Sequence, residues 1–139
     1  LKWRRGYAIR PPALEADDPQ HPSQDPKYSG IARLPDTESL ADTLERVTKW
    51  WEERLAPELK ADRRVLVVAH GNSLRAMVKF LQGLSEDEIM QYNIPTGIPL
   101  VFRLNDALEV VDHEYLADEA ALSAAVSEVK NQASSQSER

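Results

Sequence analysis

With 139 residues, 42% of them hydrophobic, the chain is long enough for one domain with a modest core and too short for two of ordinary size. The absence of cysteine excludes disulfide scaffolds, thiolate catalysis and cysteine-based zinc sites, and a net charge of −6 argues against nucleic acid, whose phosphates are bound through basic surface. No apolar run reaches the roughly 18 residues that span a bilayer and no secretory signal is visible, so a soluble, cytoplasmic protein without a membrane partner is expected.

The chain opens at Leu1 rather than a methionine, and residues 1–5 read as the end of an element already in progress, so a piece of a longer protein is expected. Residues 6–35 carry Pro11, Pro12, Pro19, Pro22, Pro26 and Pro35 among polar residues, which predicts a long loop that Tyr7 and Tyr28 would pin down. Leu40, Leu44, Val47, Trp51 and Leu55 recur at spacings of three and four and predict a helix, with Asp36 or Thr37 as N-cap and Pro57 near its end. Trp50 and Trp51 point about 100° apart on that helix and are read as packing residues.

Residues 64–69 form a short β-branched run with no polar face, as in a strand of a parallel sheet covered on both sides. Leu74, Met77, Val78 and Leu81 then mark a helix that Gly83 stops. Ser85 with Glu88 makes a capping box for a short helix through about Tyr92. Segments 98–104 and 108–115 predict two strands around a turn at Asn105 and Asp106, 118–132 a last helix, and 133–139 a polar flexible tail. The expected organisation is therefore one domain over 1–132 followed by that tail.

Of three histidines, His21 sits in the proline-rich loop and His113 near the end of a strand, both contexts that suit packing or solvation. His70 lies where the apolar run meets a helix, among unsatisfied N–H groups and a positive dipole end, a natural anion site. Its neighbour Gly71 lets a ligand approach the backbone, Asn72 adds an amide, and Ser73 is a candidate cap. A charged imidazole there would steady a phosphoryl group; a neutral one would transfer protons, and a histidine at this position can also simply cap the helix. Arg4 and Arg5 offer paired guanidiniums for a phosphate or carboxylate, although adjacent surface arginines are more often solvated. No histidine or carboxylate spacing points to a metal.

Four blocks carry a resemblance. Trp3-Arg4-Arg5-Gly6-Tyr7 with Pro11-Pro12, Leu34-Pro35 with Thr37-Glu38-Ser39-Leu40, residues 69–76 from Ala69-His70-Gly71 to Ala76, and Asn93-Ile94-Pro95-Thr96-Gly97-Ile98-Pro99-Leu100 resemble, in order, the cofactor-dependent phosphoglycerate mutases of the histidine phosphatase superfamily. The resemblance implies an α/β three-layer sandwich with a mostly parallel central sheet, incomplete here. It implies interconversion of 2- and 3-phosphoglycerate in glycolysis and gluconeogenesis through a phosphohistidine, primed by 2,3-bisphosphoglycerate without a metal, in a protein that is a homo-oligomer when intact. It assigns His70 to transition-state stabilisation and Arg4, Arg5, Gly71 and Asn72 to substrate binding. The family's nucleophilic histidine, in an Arg-His-Gly motif, and its acid/base glutamate have no counterpart in these residues, so the chain alone is expected to be inactive. A broad-specificity phosphatase of the same superfamily and a non-catalytic phosphate-binding module are the alternatives.

Overall fold

The computed structural model describes residues 6–135, and Arg4 and Arg5 lie outside them. The proline-rich segment holds only two single-turn 3₁₀ helices, Pro22–Gln24 and Pro26–Tyr28, each begun by a proline whose missing N–H costs nothing in a first turn. The loop is tied down by particular bonds. Thr37 Oγ1 donates to the Pro11 carbonyl at 2.6 Å, and Arg10 grips Asp42 through two nitrogens at 2.5 and 2.8 Å. The Lys79 ammonium stands 5.0 Å from the centre of the Tyr7 ring. Tyr28, also expected to pin the loop, meets the neighbouring Lys27 instead.

Helix α1 spans Leu40–Trp50 and starts from Ser39, not from Asp36 or Thr37. Ser39 and Asp42 cap each other's backbone N–H groups reciprocally, while the Thr37 hydroxyl is already engaged by Pro11. The helix continues past its expected end through a π-helical turn, Trp51–Leu55, into α2, Ala56–Lys60. Pro57 explains that turn. It has no N–H for the Glu53 carbonyl, and its ring needs extra room one turn back; the wider turn provides this, with the Ala56 N–H reaching Trp51 O. Trp51 is buried and meets Phe80 edge-on at 5.5 Å, whereas Trp50 is 41% exposed.

Helix α3, Gly71–Gln82, packs against α1 and ends at Gly83, whose φ of 63° is the left-handed cap expected there. Helix α4, Glu86–Gln91, has the expected Ser85–Glu88 capping box and buries Ile89 completely. Strands β1, Leu100–Leu104, and β2, Val110–Tyr115, pair antiparallel, with an irregularity after Arg103. Asn105 organises their turn by accepting from the Ala107 and Glu109 N–H groups. Arg103 crosses the hairpin to Asp112 and Glu114. Helix α5, Glu119–Ser135, begins at Asp118, whose carboxylate accepts from the Ala121 N–H at 2.7 Å, and runs on through Ala133, where the tail is expected to begin.

The expected strand over 64–69 is not formed: residues 63–70 have no regular secondary structure, and Leu66 and Val68 are 82% and 85% exposed. A strand requires a neighbour to exchange N–H···O=C bonds with, and the two strands among the described residues pair only with each other. The observed architecture is thus mixed helices with a two-stranded antiparallel sheet, a partial α/β arrangement without the mostly parallel central sheet. No described helix is long and apolar enough to cross a membrane.

Candidate functional site

The mouth of α3 is built from consecutive residues. His70 is its N-cap, in an extended conformation at φ −62° and ψ 147°, and its Nδ1 accepts the Asn72 N–H at 3.2 Å. An imidazole nitrogen that accepts carries no proton, so the neutral tautomer that makes this bond holds its hydrogen on Nε2. Ser73, a candidate cap, does not take that role because His70 fills it.

Gly71 and Asn72 form the first turn, and both are exposed. A Cβ built on Gly71 would meet nothing within 4 Å, so the missing side chain leaves open space at the helix mouth rather than relieving a clash. The first turn of α3 contains no carboxylate, unlike those of α1, α4 and α5, which carry Asp42, the trio Glu86, Asp87 and Glu88, and Glu119. Those helices answer their own positive ends with a carboxylate; α3 has only the His70 ring there, which takes the Asn72 N–H.

Behind the mouth stands Arg75, which sequence reading left without a role. Its Nη2 donates to the Ile89 carbonyl at 2.6 Å, and its Nη1 lies 3.4 Å from Asn72 Oδ1. The spacing of three between Asn72 and Arg75 puts them on one helix face and was the signal available. The Ile89 contact comes from tertiary packing.

The other histidines occupy the ordinary contexts anticipated for them. His21 caps a three-residue 3₁₀ turn through Ser23, and His113 stacks on Phe102 at 5.4 Å on the exposed hairpin. Among the described residues no group of three or more histidines and carboxylates gathers in metal-binding fashion. Two clefts flank the site. The larger, about 1000 Å³, runs between α3, β1 and the 65–67 segment and does not reach His70; the smaller, about 320 Å³, lies between α1 and α3 beside Ser73. The larger cleft is lined mostly by apolar side chains, Leu55, Leu74, Val78, Val101 and Phe102 among them, together with the charged Asp62, Arg63 and Arg64.

A family model described as the histidine phosphatase superfamily (branch 1) matches residues 9–112, well over half of the chain and including the whole α3 mouth. The chain belongs to that superfamily, whose chemistry is phosphoryl transfer of the phosphatase and mutase type.

Proposed function

We propose that this chain is the C-terminal portion of a 2,3-bisphosphoglycerate-dependent phosphoglycerate mutase, and that the α3 mouth steadies the phosphoryl group moved between 2- and 3-phosphoglycerate. The observation that carries this reading is the His70 cap, which commits Nδ1 to the Asn72 N–H and leaves Nε2 as the nitrogen able to donate, at a helix mouth with open space at Gly71. The ordered blocks from Trp3 to Leu100 favour the mutase over other members of the superfamily.

In this reading His70 Nε2–H, the first-turn N–H groups that His70 does not cap and the Asn72 side-chain amide donate to the equatorial oxygens of the phosphoryl group as charge develops on them. Donors of this kind suit a phosphate, so the residues present fit the bisphosphoglycerate primer; when bound, that compound supplies the phosphoryl group that charges the enzyme. Arg4 and Arg5 grip the substrate's charged groups. The nucleophile comes from outside these residues: none of His21, His70 and His113 follows an arginine, so the Arg-His-Gly motif is lacking. An exposed mouth also leaves its donors in high dielectric, where they stabilise developing charge weakly until the rest of the site covers them.

Titration of the 139-residue chain with 3-phosphoglycerate, followed by NMR, is expected to shift the His70 ring and the amides of Gly71 to Ser73, more strongly than p-nitrophenyl phosphate does. Gly71→Ala should abolish the shifts while leaving the melting temperature level or higher, because alanine gains up to about 1 kcal/mol in a helix and meets no neighbour. Absence of shifts in the wild-type chain would reject the anion site, and an equal response to both ligands would favour a phosphatase. Mutase turnover by the pure chain, primed with bisphosphoglycerate, would refute an external nucleophile.

A further inference from the structure

We propose that Arg75 is a positioning residue that fixes which end of the Asn72 carboxamide faces an oxyanion at the α3 mouth; this rests on the phosphoryl-transfer reading above. The guanidinium is anchored first on the other side, by its 2.6 Å bond to the carbonyl of the fully buried Ile89 near the end of α4. With Nη2 bonded to that carbonyl, the planar fork carries its second nitrogen, Nη1, to Asn72 Oδ1, 3.4 Å away.

Arginine has only donors, so Asn72 can face it only with its carbonyl oxygen. The two N–H bonds of Asn72 Nδ2 are thereby turned away from Arg75, and a donor is what a phosphate oxygen requires. At 3.4 Å the contact is long for a hydrogen bond, so its effect is to orient an exposed amide that would otherwise sample several rotamers. A lysine at this position would keep the charge but, as a point donor, could not hold Ile89 and steer Asn72 in one plane.

The test uses the ligand-free 139-residue chain and then inorganic phosphate. Side-chain couplings and NOEs of Asn72 are expected to report one rotamer in the wild type and averaging in Arg75→Lys and Arg75→Met. Phosphate affinity should fall about three- to tenfold in Arg75→Lys despite the retained charge, the worth of one oriented hydrogen bond. The same substitution in an Asn72→Ala background should have no further effect. An Asn72 rotamer unchanged in both Arg75 variants, or an equal affinity loss in the two backgrounds, would overturn the positioning role. Should Arg75→Met fail to fold, Asn72→Asp leaves the Ile89 anchor in place and pairs with Arg75 while presenting no N–H. It should bind phosphate no better than Asn72→Ala, and full retention of binding would overturn the proposal. Phosphate that shifts nothing at residues 70–72 of the wild-type chain sinks the anion site itself, a result distinct from an Asn72 rotamer indifferent to Arg75.

Discussion

Asp42 does two jobs with one carboxylate: it closes the capping box of α1 with Ser39, and it receives both nitrogens of Arg10 from the proline-rich loop. The Arg10 guanidinium, followed by the Ser39 hydroxyl and N–H, holds its carboxyl well below the ordinary carboxylate range. A depressed folded-state pKa contributes stability that is present above the unfolded value, about 3.9, and is lost as pH falls below it toward the folded value. Acidification from pH 4 downward should therefore release the loop from α1. Carbon-13 titration of the Asp42 carboxyl should show the depression shrink in Arg10→Ala, and an unchanged titration would contradict the Arg10 contact as its main cause. The same residues mark a limit of local reading. Ser39 and Asp42 carry a capping signature, yet Asp36 and Thr37 are equally good caps by residue type; that Thr37 instead turns its hydroxyl to Pro11, 26 positions away, is a contact no local pattern encodes.

Among the elements, the local signals were sufficient wherever the interacting groups lie within one turn. The glycine stop of α3, the capping box of α4 and the hairpin around Asn105 all appear as the pattern predicts, because each depends on neighbours two to five residues apart. The π-helical turn was not legible, since Pro57 alone signals an end of helix as readily as a widened turn. Its consequence falls on the tryptophan pair. Trp51→Ala removes a buried ring from the contact between the π-helical turn and α3 and should cost about 3–5 kcal/mol, enough to abolish helical circular dichroism in a marginal chain. Trp50→Ala, at a 41% exposed position, should stay within about 0.5 kcal/mol. Equal effects of the two in urea melts would mean that the turn does not separate their roles. The α3 mouth was legible as a strand-to-helix histidine; the Arg75 link to Ile89 was not, being a contact across 14 residues that no periodicity encodes.

At the scale of the whole molecule, a folded chain of 15.7 kDa is expected to expose about 7300 Å². This one exposes 10360 Å², roughly 40% more, so a substantial part of its surface is of the kind that folding normally hides. Leu66 and Val68 are prominent contributors, and the apolar cleft of about 1000 Å³ beside the 65–67 segment is another sign of the same deficit. A sequence can specify that residues 64–69 are strand-like, but a strand is a relation between two segments, and the partner is not among the described residues. The chain should self-associate at micromolar concentration, and Leu66→Lys combined with Val68→Lys should suppress this in analytical ultracentrifugation while leaving the helices intact. A wild-type chain that sediments as a monomer and melts reversibly would contradict the expectation.

The run Val65-Leu66-Val67-Val68 also bears on how much of this polypeptide a cell could keep. A solvent-facing apolar stretch between helices is what chaperones and proteases engage, so the standing amount of the isolated chain would follow the traffic of that machinery more than its own folding equilibrium. Covering four residues would then change its abundance without touching a single group at the α3 mouth.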